Sequence, residues 1–101
     1  MFLIGLTFID ENDDLIEQYQ THGIVEKLQN NALLIIKRKD GSLFQFPYDS
    51  KTIKKAKPGD YREQKTGEII SNPDFITTWE ISTSKIDNLE DIKNHGFIQN
   101  K

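Results

Sequence analysis

Apolar residues recur at every second position near the start of the chain. Phe2, Ile4, Leu6 and Phe8 fall on one face of an extended segment, and the opposite face is also largely apolar. A period of two with apolar residues on both faces is typical of a strand in the middle of a sheet. The pattern therefore predicts a central strand over residues 2–9, followed by a solvated acidic loop over residues 10–14.

The pattern over residues 15–28 fits two structures. Leu15, Ile16 and Tyr19 have helical spacing, and Gly23 follows as a candidate cap. Residues 24–28 read as a strand, which residues 18–22 would extend through a bulge at Gly23. We favour one long, bent strand and keep a helix over residues 15–22 as the alternative.

The strongest local signal is a β-hairpin centred on Asp40 and Gly41. Apolar strand patterns over residues 32–37 and 43–46 flank this pair. Asp-Gly readily adopts the positive φ angles that tight hairpin turns need. The second strand ends at Pro47, which has no N–H to donate to a ladder.

Turn-forming residues divide the chain after Pro47 into short segments. Residues 48–57 predict a capped turn around Ile53 and Ala56, and Pro58-Gly59 then reverses the chain into a strand over residues 61–64. A second hairpin turn at residues 65–68 leads to a strand over residues 68–71. A turn at residues 72–74 precedes the last strand, over residues 75–82, which contains Trp79.

A helix is predicted after these strands. Asp87 and Glu90 have the spacing of a capping box, and Gly96 stands where a helix would end. The helix is predicted over residues 87–95, with Phe97 and Ile98 as an apolar anchor after it. It would cover an open sheet edge or plug one mouth of a barrel.

These segments together predict one mainly β domain over residues 1–101. About six short strands with tight turns are typical of a small antiparallel barrel or sandwich. The β core is expected over about residues 1–82, and the C-terminal helix and tail over residues 83–101. At 101 residues with 36% hydrophobic residues, the chain is large enough to fold around a single core.

Composition excludes several kinds of chemistry. The chain has no cysteine, so it can form no disulfide, thiolate nucleophile or cysteine-based zinc site. The apolar start lacks the basic region and cleavage site of a signal peptide, and no apolar run approaches the roughly 20 residues that span a bilayer. We therefore expect a cytoplasmic protein that does not bind membranes.

No catalytic residue, metal site or cofactor is predicted. The two histidines, His22 and His95, are interpreted as an ordinary surface histidine and one at a helix end. The segment Asp10–Asp14 resembles the start of a calcium loop, but Leu15 and Thr21 stand where glycine and glutamate are needed. The sixteen acidic residues leave open a carboxylate pair that only folding would bring together, and a ligand pocket in a barrel mouth also stays open.

Charge is distributed unevenly, with acidic ends and a basic middle. Residues 1–20 hold five acids and no base, whereas residues 37–65 hold nine bases against four acids. Opposite charge speeds the association of proteins, so the acidic segment is a candidate surface for a partner with a basic cleft. The predicted partner-binding residues are Asp10, Glu11, Asp13, Asp14 and Glu17.

The basic middle supports an alternative function, the binding of single-stranded nucleic acid. Small barrels that bind single strands combine basic grooves with aromatic rings on which bases stack. The net charge of −3 argues against this reading, because such domains are usually basic. The residues that would carry it are Lys51, Lys54, Lys55, Lys57 and Tyr61.

A distinctive pattern runs through the second half of the chain: Pro58-Gly59-Asp60-Tyr61, Thr66-Gly67-Glu68, Asn72-Pro73-Asp74-Phe75 and Trp79. With Asp40-Gly41 and Phe46-Pro47, it resembles a pattern shared by small bacterial proteins of uncharacterised function. The resemblance covers roughly residues 20–82. It implies a stand-alone bacterial β domain and transfers no catalytic residue. Turn formation and core packing also account for the same residues.

In size and acidity the chain is also similar to the immunity proteins that accompany secreted bacterial toxins. This second likeness is one of type and not of motif. It leads to the hypothesis of a non-enzymatic protein-binding module, most concretely a cytoplasmic immunity protein that occludes its cognate protein toxin.

Overall fold

The computed structural model describes residues 1–63, 65–82 and 89–97. The prediction of a mainly β fold with one short C-terminal helix is confirmed. The elements are β1 (Phe2–Ile9), β2 (Leu15–Gln29), β3 (Leu33–Lys37), β4 (Leu43–Pro47), β5 (Ile53–Lys55), β6 (Asp60–Arg62), β7 (Ile69–Ser71), β8 (Phe75–Ser82) and α1 (Leu89–His95). Six strands form one sheet in the order β4-β3-β2-β1-β8-β5, and β6 pairs with β7 in a separate hairpin.

The long strand β2 belongs to both halves of the main sheet. Its residues 15–23 pair with β1, and its residues 24–29 pair with β3. The long bent strand is therefore confirmed, and the helical alternative for residues 15–22 is wrong. The bulge predicted at Gly23 is also misplaced, because the register shift lies between Val25 and Lys27. Gly23 instead permits a close approach, since a Cβ there would lie 2.6 Å from the carbonyl oxygen of Lys37.

The central position predicted for β1 is confirmed, because β1 lies between β2 and β8. Its residues Phe2, Ile4, Leu6 and Phe8 are buried on one face. The pairing with β8 is parallel, beginning at Phe2 opposite Phe75. This parallel pairing departs from the antiparallel arrangement that was expected. β2, β3 and β4 continue the sheet on one side of β1, and β8, from much later in the chain, lies on the other side.

Both predicted hairpin turns are confirmed. Gly41 has a φ of 89°, and Asp40 Oδ1 accepts hydrogen bonds from the backbone N–H and the hydroxyl of Ser42. In the second turn Gly67 has a φ of 72° between β6 and β7. These turns follow from local chemistry, since glycine adopts positive φ at no steric cost.

The turn predicted around Ile53 is wrong. Asp49 does cap a turn, with its Oδ1 accepting from the N–H of Lys51 at 2.9 Å, but the chain then forms β5. This strand pairs with residues 75–77 of β8. With only three residues it is too short for an alternating pattern to show, and the residues it pairs with lie twenty or more positions later in the chain.

Helix α1 and the residue after it lie against β4, the edge strand of the sheet. Covering a sheet edge is one of the two placements predicted for this helix. Gly96 has a φ of 95° after the helix, and the N–H of Phe97 donates to the carbonyl oxygen of Gln45 at 2.9 Å. The helix is observed from Leu89. The predicted cap at Asp87 and the second anchor residue, Ile98, lie outside the described residues.

One hydrophobic core joins the sheet and the helix. Half-buried Trp79 packs against this core, and its ring meets that of Phe97 edge-on at 5.3 Å between centroids. In the part of the chain that the structure describes, no helix has the length and apolar character needed to cross a membrane. The buried core residues are Phe2, Ile4, Leu6, Phe8, Leu34, Ile36, Phe44, Phe46 and Ile92.

Candidate functional site

An apolar groove of about 510 Å³ lies between β2 and the β6–β7 hairpin. Ile24 and Ile69 line it while remaining 62% and 52% exposed, and Ile70 is buried. We call this feature the β2–β7 groove. It is lined by Met1, His22, Gly23, Ile24, Glu26, Lys37, Arg38, Lys39, Glu68, Ile69, Ile70 and Ser71.

Strand register explains why Ile24 faces solvent. Ile24 pairs with Lys37, and Lys37 pairs with Leu43, so these three residues form one row across β2, β3 and β4. Their neighbour Ile36 is fully buried, and successive side chains of a strand point to opposite faces. Leu43, at the other end of this row, is 49% exposed.

A histidine and two glutamates lie together at the edge of this groove. His22 Nδ1 is 2.7 Å from Glu63 Oε1, and His22 Nε2 is 3.2 Å from Glu68 Oε2. The side chains of His22 and Glu63 are only 12% and 8% exposed. The interpretation of His22 as an ordinary surface histidine is therefore wrong. We call these three residues the His22 cluster.

The hairpin turn positions the two carboxylates of the His22 cluster. The N–H of Glu63 donates to the carbonyl oxygen of Glu68 at 2.9 Å, which holds the two residues opposite each other. The Thr66 hydroxyl donates to Glu63 Oε2 at 3.1 Å. Like charges directly opposite each other across a strand pair are destabilising, so a cation beside these two carboxylates is favourable.

The His22 ring lies between the two carboxylates and presents one ring nitrogen to each of them. Lys39 supplies a positive charge, with its Nζ 3.7 Å from Glu68 Oε2. His22 and Glu68 also line a neighbouring cavity of about 460 Å³, on the side of the cluster toward Thr21 and Lys93. The cluster thus lies between two solvent-accessible spaces.

The predicted acidic surface is divided by the structure. Glu11, Asp13 and Asp14 are exposed in the loop between β1 and β2. Asp10 has a structural role, because its Oδ1 accepts hydrogen bonds from the N–H groups of Asn12 and Asp14 at 2.8 and 2.9 Å. Three of the five predicted residues are therefore brought together on an open loop.

Glu17, the fifth predicted residue, lies away from this loop in an ion-pair network. Its Oε2 is 2.7 Å from Lys65 Nζ and 2.5 Å from Lys93 Nζ. Hydrogen bonds from Lys65 and Lys93 lower the pKa of Glu17 below its ordinary value of 4.5. The Glu17 carboxylate is accordingly engaged within the molecule.

The alternative basic residues lie along the opposite edge of the sheet. Lys54 and Lys55 are exposed on β5, with Lys51 and Lys57 exposed on either side. The Tyr61 hydroxyl donates to the carbonyl oxygen of Lys57 at 2.9 Å, so this half-buried ring is held against the 57–61 turn. Binding of single-stranded nucleic acid by these residues stays a prediction.

Sequence reasoning did not find the β2–β7 groove or the His22 cluster. His22 lies 41 residues before Glu63, so no local motif joins them. One signal was present: the turn at Gly67 places Glu63 and Glu68 as opposing acids in a hairpin. A compensating cation could have been sought from that pairing alone.

Comparison of the chain with protein-family models, with curated proteins and with solved structures found no match. The resemblance to small bacterial β domains therefore stays a prediction. The features of this chain that bear on function are the groove, the cluster and the charged surfaces.

Proposed function

We propose that this chain is a protein-binding module whose partner inserts an apolar side chain into the β2–β7 groove. The observation that carries the proposal is the exposure of Ile24 and Ile69, 62% and 52%, beside a groove bordered by charged residues. Apolar surface with a polar rim is typical of protein interaction sites. Binding energy at such sites concentrates in a few apolar anchors that fill pockets.

In its most concrete form, the proposal is a cytoplasmic immunity protein that occludes a cognate bacterial toxin. A toxin that acts on nucleic acid carries a basic cleft. The exposed acids of the β1–β2 loop, Glu11, Asp13 and Asp14, have the charge that such a cleft attracts. The net charge of −3 favours the same kind of partner.

The groove is tested by substituting its two exposed isoleucines with aspartate. Ile24→Asp and Ile69→Asp place a charge where the partner's apolar side chain would be desolvated. We expect the double variant to raise the dissociation rate at least 100-fold and to abolish protection. Protection is measured as survival of cells that express the toxin domains encoded beside this chain's gene, and dissociation by surface plasmon resonance.

Tyr48→Asp is the matched control, because Tyr48 is 41% exposed and does not line the groove. It introduces one negative charge, as each single isoleucine substitution does, and is expected to leave dissociation and survival unchanged. Full protection by the folded double isoleucine variant would refute the role of the groove. The immunity function itself would be refuted if cells without the gene resisted every neighbouring toxin as well as the wild type does.

A further inference from the structure

We propose that the His22 cluster binds a divalent transition-metal ion, and that Zn²⁺ is the ion its donor atoms fit best. The proposal goes beyond protein binding and does not depend on it. His22, Glu63 and Glu68 each carry a side chain that can ligate a metal ion. Among residues 1–63, 65–82 and 89–97, they are the one group of three or more His, Asp or Glu side chains whose donor atoms converge. One donor atom from each lies within 4.8 Å of the others.

The donor atoms are held in place by two different elements. β2 supplies the imidazole of His22, and the β6–β7 hairpin supplies both carboxylates. The backbone hydrogen bond between Glu63 and Glu68 and the bond from Thr66 to Glu63 fix the hairpin side. Donors held by their own scaffold need little reorganisation when an ion binds.

The charge of the cluster favours a cation of more than one unit. Two carboxylates face each other across the hairpin, and the side chain of Glu63 is only 8% exposed, so solvent screens this repulsion weakly. Lys39 Nζ lies 3.7 Å from Glu68 Oε2, but the Lys39 side chain is 80% exposed. A divalent ion at His22 Nε2 would supply two positive charges beside the carboxylates.

The geometry assigns different roles to the two glutamates. His22 Nε2 and Glu68 Oε2 lie 3.2 Å apart. Two ligands of one tetrahedral Zn²⁺ ion are about 3.3–3.5 Å apart, given metal–ligand distances near 2.0–2.2 Å. We therefore assign Nε2 and Glu68 as ligands. Glu63 accepts the hydrogen bond from Nδ1 and so fixes the tautomer and the orientation of the ring.

The remaining coordination positions face accessible space. His22 and Glu68 line both the β2–β7 groove and the cavity beside it. Water or a side chain of a bound protein can therefore complete the coordination. Histidine nitrogen and glutamate oxygen are both ligands that Zn²⁺ takes in proteins, whereas Ca²⁺ takes six to eight oxygen ligands.

The test is a calorimetric titration of Zn²⁺ into the purified chain, which carries no affinity tag. We expect one ion per chain with a dissociation constant in the micromolar range. Co²⁺ serves as the spectroscopic probe and is expected to give visible absorption bands in the same stoichiometry. His22→Asn and Glu68→Gln each remove a ligand and are expected to weaken binding at least 100-fold.

Glu63→Gln separates the orienting role from the ligand role, because loss of an outer carboxylate typically costs 10- to 100-fold in affinity. His95→Asn is the matched control, since His95 is the other histidine and is exposed on α1. It is expected to bind Zn²⁺ as the wild type does. Absence of binding at millimolar Zn²⁺, or loss of binding in His95→Asn alone, would overturn the proposal.

A measurement on the unaltered chain removes any dependence on how the variants fold. Co²⁺ is paramagnetic and broadens the NMR signals of nearby nuclei. The amides of His22 and Glu68 are expected to broaden first, at equimolar Co²⁺. Broadening centred on α1 or on the acidic β1–β2 loop would place the ion elsewhere and refute the site.

Discussion

Gly23 lies where β2 leaves its pairing with β1 and begins its pairing with β3. A Cβ at this position would lie 2.6 Å from the carbonyl oxygen of Lys37 and 3.0 Å from Ile36 Cδ1. The oxygen belongs to the backbone of β3 and cannot move without disturbing the adjacent ladder. The absence of a side chain therefore allows the two halves of the sheet to share one strand.

Gly23→Ala is accordingly expected to lower the free energy of unfolding by about 2 kcal/mol, a typical cost of forcing atoms into a packed region. Urea unfolding measures the change. Gly5→Ala is the matched control in β1, because its Cβ would lie 3.5 Å from Thr78 Cγ2, an ordinary contact. It is expected to stay within about 0.5 kcal/mol of the parent or to stabilise it slightly. Equal losses in the two variants would contradict the close-approach argument.

At the scale of elements, α1 is held to the strands by polar contacts as well as by Ile92. Arg38 follows β3 and donates hydrogen bonds to the carbonyl oxygens of Lys93 and Asn94 at 2.8 and 2.6 Å. A cation at a helix C-terminus is favourable because the last carbonyls have no partner within the helix. Glu17 of β2 pairs with Lys93 of the same helix.

The network around Glu17 predicts a pH dependence of stability. Hydrogen bonds from Lys65 and Lys93 lower the pKa of Glu17. The folding stability that the Glu17 carboxylate contributes is therefore present above the ordinary pKa of 4.5 and is lost as pH falls through the lowered pKa. Glu17→Gln should therefore lower stability by about 0.5–1 kcal/mol at pH 7. The difference from the parent should shrink toward zero in strong acid.

Urea unfolding at pH 7 and at pH 2–3 measures this difference. Glu11→Gln, in the exposed β1–β2 loop, is the control and should change stability little at either pH. A Glu17→Gln effect of the same size at both pH values would show that packing, not charge, causes it. The hydrogen bond to Glu17 also raises the pKa of Lys93. The folding stability that the Lys93 ammonium contributes is therefore fully present below the ordinary pKa of 10.5 and is lost as pH rises through the raised pKa.

Elements with local causes were predictable from sequence, and those with distant partners were not. The turns at Asp40-Gly41 and Gly67 and the long strand through Gly23 follow from the properties of neighbouring residues. β5 was missed because Ile53–Lys55 becomes a strand only by pairing with β8. The His22 cluster was missed for the same reason, since its members meet only after the hairpin docks beside β2.

At the scale of the whole molecule, the proposed partner-binding function predicts that charge affects the rate of association more than the strength of contact. The acids Glu11, Asp13 and Asp14 are exposed on one loop and do not line the β2–β7 groove. They are expected to attract a basic partner before the groove makes contact. The two surfaces should therefore affect different rate constants.

A triple variant of the loop tests whether its charges affect association alone. The substitutions are Glu11→Gln, Asp13→Asn and Asp14→Asn. The triple variant is expected to slow association with a basic protein partner about tenfold at low salt and to leave dissociation unchanged. The difference should disappear near 1 M salt, where the Debye length is about 3 Å. Stopped-flow mixing measures both rates. A change confined to dissociation would mean that the loop makes direct contacts instead.

The parallel pairing of β1 with β8 has a consequence for synthesis on the ribosome. Phe2 pairs with Phe75, so the sheet cannot close around β1 until β8 has left the exit tunnel. Until then β1 has a free edge in a nascent chain whose earlier strands are already made. Contacts so distant in sequence slow folding and prolong the exposure of apolar surface. The nascent chain is therefore most prone to aggregation just before its last strand emerges.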